Sequence, residues 1–135
     1  MRNFAGERVD GALAQVVDGI GDAVIVREAA SGEVVAVNEA VEDVFGYAPE
    51  DFRELDAEAY TVDSDRTRGA RAAADRTARR GGAETFRWEA KRNDGTAFWA
   101  ESSVSSTTVG DRRYLVSVVR DVTERTERER DLERF

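Results

Sequence analysis

An α+β fold built on antiparallel strands is predicted for this chain, on three observations. The last third carries three alternating segments, at 84–91, 96–107 and 112–122, which form a meander and run straight into a charged helix. Two shorter β-branched runs, at 22–28 and 33–37, are separated by a connection of hairpin length. The stretch between the two groups carries helical patterning and turn residues. A sheet whose last strand continues into a helix can pass an internal change to whatever follows it, so this order of elements reads as a sensor module.

Each element has its own signal. Val9, Ala12, Leu13, Val16, Val17 and Ile20 fall on one face of an amphipathic helix that Gly19 and Gly21 end. Ala29-Ala30-Ser31-Gly32 joins the first two strands, with glycine available for the turn. Asn38 is read as the N-cap of a short helix over 39–45, with Glu42 and Asp43 early in it and Gly46 as its stop. Pro49 suits a first helical position, and Glu50 and Asp51 favour the positive end of the helix dipole. Over 63–80, Ala70, Ala73, Ala74, Thr77 and Ala78 form one small-residue stripe among arginines and aspartates, and Gly81-Gly82 ends the helix. Asn93-Asp94-Gly95 supplies a tight hairpin turn inside the meander. Asp121, Thr123 and Glu124 carry N-capping chemistry at the start of the last helix, where Glu124/Arg128 and Arg125/Glu129 are i,i+4 pairs.

Composition sets further bounds. The 135 residues suit one folded unit, since domains commonly hold ~100–150 residues. Asp and Glu number 28 against 20 Lys and Arg, and the net charge of −8 disfavours nucleic acid and anionic lipid as partners. Lys91 is the sole lysine, and carboxylate excess over a lysine-poor surface points to a halophilic source. With neither cysteine nor histidine, disulfides, thiolate nucleophiles, Ser-His-Asp relays, phosphoacceptor histidines and the usual zinc sets are excluded within this chain. The longest apolar runs fall far short of the ~20 residues that span a bilayer, and the N-terminus lacks a basic segment followed by an apolar one, so a cytoplasmic location without direct membrane contact is expected.

Three motifs carry a resemblance. Asn38-Glu39-Ala40 followed by Phe45-Gly46-Tyr47-Ala48-Pro49-Glu50-Asp51-Phe52 resembles the N-x-A…GY-x-x-E-[LF] segment of the PAS family. Lys91-Arg92-Asn93-Asp94-Gly95-Thr96 with Phe98-Trp99 resembles its "rkDG…fW" hairpin, and Asp121-Val122-Thr123-Glu124-Arg125 looks like its "DITE[RK]" ending. The resemblance covers nearly the whole chain, with the motifs in the right order. It implies a five-stranded antiparallel sheet of order 2-1-5-4-3 with helices packed on one face and a ligand pocket between the two layers. The corresponding division is 1–21 as an N-terminal flanking helix, 22–122 as the PAS core and 123–135 as a C-terminal signalling linker helix.

If the strands follow the family pattern, alternation points Val24 and Val26, Phe86, Trp88 and Ala90, Phe98, Ala100, Ser102 and Val104, and Leu115, Ser117 and Val119 toward the helices. The candidate ligand-binding set is Val24, Val26, Phe45, Phe52, Tyr60, Ala73, Phe86, Trp88, Ala100, Ser102, Val104, Leu115, Ser117 and Val119. Two readings of it stand. Small residues beside Phe86 and Trp88 leave a gap that a ligand occupies, or Phe45, Phe52 and Tyr60 fill that space themselves. The opposite face, with Trp99, Tyr114, Val116 and Val118, is also apolar and needs cover from the N-terminal helix or a second subunit.

The stretch Glu54-Leu55-Asp56-Ala57-Glu58-Ala59 stands where light-oxygen-voltage members of the family present their flavin-reactive cysteine, so a cysteine-linked flavin is excluded, and the lack of histidine excludes the family's haem ligand. The expected ligand is a non-covalent small aromatic or heteroaromatic molecule; a non-covalent flavin would lack its usual polar contacts. The expected role is that of a non-enzymatic cytoplasmic sensor or input domain of a larger, haloarchaeal, multidomain signalling protein, foremost a sensor histidine kinase. Asp121 and Thr123 would relay the change to a downstream domain of the same chain. The alternatives are a ligand-free module that dimerises or positions its neighbours, and a domain of a transducer or transcriptional regulator.

Overall fold

The computed structural model describes residues 21–133; the amphipathic helix expected before Gly21 lies outside the described residues. Five antiparallel strands, β1 (Ala23–Glu28), β2 (Val34–Val37), β3 (Glu84–Lys91), β4 (Ala97–Val109) and β5 (Arg112–Asp121), form one sheet of order β2-β1-β5-β4-β3. The first and last strands are therefore neighbours, with Ile25 opposite Ser117 and Val26 opposite Val116. Helices α1 (Ala40–Phe45) and α2 (Pro49–Phe52), a 3-10 turn at Ala57–Tyr60 and helix α3 (Asp65–Arg79) connect β2 to β3. They pack on one face of the sheet, burying Val41, Phe45, Phe52, Tyr60, Ala74 and Ala78 against it.

Local chemistry sets the boundaries. Gly46 ends α1 at φ 83°, a conformation that glycine adopts without strain, and its N–H donates to the Glu42 carbonyl at 2.8 Å. Pro49 opens α2 in its first turn. The Ser64 hydroxyl caps α3 by accepting the Thr67 N–H at 3.0 Å. In the β3–β4 turn Gly95 takes φ 87° and donates to the Arg92 carbonyl, while the Asp94 carboxylate accepts the Thr96 N–H at 2.9 Å. The same turn is tied to α1 by the Asn93 N–H, which donates to the Phe45 carbonyl at 2.9 Å.

Asn38 is not a helix cap. Glu39 occupies the N-cap position of α1 without a side-chain cap bond. Asn38 is instead buried, with Oδ1 accepting the Val24 N–H at 2.9 Å and Nδ2 donating to the Asp22 carbonyl at 2.8 Å. A buried amide with both ends engaged on the start of β1 is worth more than the same group exposed at a helix end.

Val24 and Val26 point away from the helices, contrary to expectation. They cluster with Ala36 and Tyr114 on the other face of the sheet, whereas Ala23 and Ile25 join the helix-side core. Residues 23–26 are apolar at every position and all four are buried, so alternation carries no information about which face is which. The pairing with β5 decides it, because Ile25 lies opposite Ser117 and cross-strand partners share a face.

The last helix, α4 (Thr123–Glu133), folds back over this second face beside β3 and β4. Arg87 Nη1 donates to Glu129 Oε2 at 2.8 Å, and the Arg130 guanidinium lies 4.8 Å from the centre of the Trp99 ring.

Candidate functional site

The space between sheet and helices is filled unequally. Phe45, Phe52, Tyr60 and Phe98 pack as an aromatic cluster at one end, with ring centres 4.7 Å apart for Phe52 and Tyr60, 5.0 Å for Phe45 and Phe52, and 5.7 Å for Phe45 and Phe98. Toward β1 and α3 the strands present small residues, Ser102 and Ser117, and the layers part. A cavity of about 380 Å³ lies there, a size that suits a small organic ligand. Ile25, Phe86, Trp88, Val104 and Val119 form its apolar wall on the sheet, and Leu55 and Tyr60 cover it from the helical side.

Its polar groups come from both the sheet and the helical layer. Arg27 of β1 holds Asp75 of α3 through both nitrogens, at 3.1 and 2.8 Å, with both side chains largely shielded from solvent. That geometry is the bidentate fork that makes arginine–carboxylate pairs strong. Arg71, one turn before Asp75, lies with its guanidinium carbon 4.9 Å from the centre of the Trp88 ring and donates to Thr61 Oγ1 at 3.2 Å. Burial lowers the Arg71 pKa, an effect that Tyr60 and Asp75 oppose and Arg27 reinforces. Burial likewise raises the Tyr60 hydroxyl, against the pull of Arg71 and Arg27. On the sheet the Trp88 indole N–H donates to Ser102 Oγ at 2.8 Å, which satisfies both buried groups. Glu33, Glu54 and Asp56 stand exposed at the rim.

The residues expected from the sequence are distributed as follows. Tyr60, Phe86, Trp88, Ser102, Val104, Ser117 and Val119 line the cavity. Phe45, Phe52 and Ala100 lie in the packed core beside it, and Leu115 packs behind it with Ala74, Ala78 and Val104. Val24 and Val26 are on the opposite face. Ala73 is half-exposed and off the cavity, because α3 is rotated from the stripe that its alanines suggest. Arg71, Ala74, Asp75 and Ala78 face inward instead, a spacing of i, i+3, i+4 and i+7 in which two charged side chains replace two small ones. Arg27, Arg71 and Asp75 were not anticipated. The available signal was the place of Arg27 two residues beyond Ile25, and the i,i+4 spacing of Arg71 and Asp75 around Ala74.

At the sheet-to-helix junction Asp121 Oδ1 accepts the Thr123 N–H at 2.9 Å, and Oδ2 accepts from Arg92 of the β3–β4 turn at 2.7 Å. Thr123 Oγ1 accepts the Trp99 N–H at 2.9 Å, and the Val122 N–H donates to the Trp99 carbonyl at 2.8 Å. The start of α4 is thus fastened to β4 and to the hairpin as well as to its own strand.

A family model described as "PAS domain" matches residues 21–124. The chain belongs to the PAS domain family. The sheet order and the helical layer are those of that fold. Among solved structures, an RNA-binding light-oxygen-voltage receptor shares 26% identity with a TM-score of 0.78; the match covers 93% of this chain and 37% of the receptor. A domain of a sensory box sensor histidine kinase/response regulator from Geobacter sulfurreducens is 19% identical over 84% of this chain and 94% of that one, with a TM-score of 0.64. The PAS domain of an HTR-like protein from Haloarcula marismortui is 17% identical over 85% and 93%, with a TM-score of 0.62. None of the curated proteins matches. The PAS fold is thus shared with domains of histidine kinases and other signalling proteins. With no cysteine in the chain, a cysteine-linked flavin cannot form on it. Among the described residues no helix is long and apolar enough to cross a membrane.

Proposed function

We propose that this PAS domain is the cytoplasmic input module of a larger signalling protein, foremost a sensor histidine kinase. In this reading it binds a small aromatic or heteroaromatic molecule without a covalent bond and relays occupancy through α4. The observation that carries it is the cavity of about 380 Å³ lined by Trp88, Phe86 and side chains of α3. Close-packed interiors seldom leave such space without use. The domain division follows the same reading, with 1–21 as flanking helix, 22–122 as core and 123–135 as signalling linker, and the downstream signalling domain and a second copy of the chain are the proposed protein partners. The chain acts as a regulator with no catalysis of its own. The halophilic, haloarchaeal source belongs to this proposal and rests on the net charge of −8 and the single lysine.

Thermal-shift and native mass-spectrometric screening of a broad aromatic library tests the binding step. Retained compounds that stabilise the domain are expected. A library with no retained compound and no stabilisation would instead favour the ligand-free interaction module.

A further inference from the structure

Among the described residues the cavity holds a cation with no carboxylate ion-paired to it and a hydroxyl with no hydrogen bond. A guanidinium offers five N–H donors, and the hydrogen bond found for Arg71 goes to Thr61 Oγ1. No carboxylate among the described residues pairs with Arg71. Asp75, one turn away, has both oxygens occupied by Arg27. Stacking on Trp88 engages the face of the guanidinium and leaves its edge for a planar acceptor. Ser117 lines the same cavity at 8% exposure, and its hydroxyl has no hydrogen-bond partner among the described residues. Its oxygen is not sealed in by protein, so a partner inside the cavity can reach it. Ile25, Val104 and Val119 line the same cavity and offer only apolar surface.

The geometry points to a monocarboxylic acid on a flat apolar body as the ligand, its carboxylate held by Arg71 and a second polar atom by Ser117. This rests on the ligand-binding reading above and names the chemical class it takes. A single negative charge follows from the charges of the lining. Arg27 is taken up by Asp75, Arg53 stands against the three rim acids Glu33, Glu54 and Asp56, and the acidic excess that remains repels a dianion or a phosphate ester while one carboxylate is offset by Arg71. The rim acids are also exposed, so they keep their hydration instead of reaching inward to pair with Arg71.

Calorimetric titration of the full chain with indole-3-carboxylate and its uncharged near-isostere indole-3-carboxamide tests this. The acid is expected to bind at least tenfold more tightly than the amide. Arg71→Gln should abolish that preference by weakening the acid far more than the amide, Arg71→Lys should restore part of it, and Ser117→Ala should weaken both probes severalfold, with folding of each variant checked by thermal melting. Equal binding of acid and amide to the wild type would overturn the charge reading and leave the cavity as a ligand site. Binding of neither probe would overturn the carboxylate reading as well; ligand binding as such would fall with it only if the aromatic library also failed.

Discussion

Asn38 and Ala100 show how single residues set the packing around the site. Asn38 bonds Val24 and Asp22 from a buried position, so Asn38→Ala strands the Val24 N–H and the Asp22 carbonyl. Loss of a buried partner of this kind costs about 1–3 kcal/mol, and urea unfolding should register the whole of it, because the change leaves the cavity lining intact. Ala100 is fully buried beside Phe45 and Phe98, whereas Ser117 borders open space. Ala100→Phe is therefore expected to cost about 1–3 kcal/mol by overpacking, while Ser117→Val grows into the cavity and is tolerated. Melting temperatures of the two variants check the contrast; a tolerated Ala100→Phe would mean that the core beside the cavity is looser than its packing indicates.

Among the elements, α4 is held at its start and along its body. Its start is fastened by Asp121 to Arg92 and by Thr123 to the Trp99 N–H, and its body by Glu129 to Arg87. Thr123 Oγ1 serves the β4 backbone and not the helix. Losing a side-chain acceptor of a backbone N–H, at Asp121 or at Thr123, costs about 0.5–2 kcal/mol, enough to shift a balanced linker and seldom enough to unfold a domain. Asp121→Ala and Thr123→Ala are expected to change basal output of the parent protein while the isolated domain keeps its fold and ligand affinity. Wild-type signalling by both variants would withdraw the relay role.

The Arg87–Glu129 clamp has a pH signature. The hydrogen bond from Arg87 lowers the Glu129 pKa first, with the arginine's charge adding to it, so the folded value lies below the unfolded one. The clamp's contribution is then complete above the ordinary glutamate range and is lost as pH falls through the depressed folded value. The Trp99 indole resonance, which reports Arg130 lying over the ring, should shift over that acidic window in the wild type and lose the transition in Glu129→Gln.

Across the whole molecule charge dominates. Carboxylates exceed basic side chains by eight, so self-repulsion in dilute buffer opposes the compact state and screening relieves it. Exposed pairs such as Arg120–Asp22 and Arg112–Glu28 are screened as well, but exposed pairs contribute little. The melting temperature is expected to rise from dilute buffer to molar potassium chloride. An unchanged value would remove the halophilic proposal and leave the fold assignment as it stands.

Turn residues, caps and alternation in β3, β4 and β5 are local properties, and they determined the meander, its tight turn and which residues share a face, while the strand order, the helical layer and the face turned to the helices came with the resemblance to the PAS family. Those strands mix polar with apolar positions, so the period of two shows through. The face of β1 was decided only by its pairing with β5, since a strand apolar on both sides has no period to read. The rotation of α3 was likewise a tertiary matter. Arg71 and Asp75 read as solvated helix surface until Trp88, Thr61 and Arg27 are brought beside them from residues 10 to 48 positions away. Burying a charge becomes tolerable only when its partners arrive from elsewhere in the chain, and such partners leave no trace in the local sequence pattern.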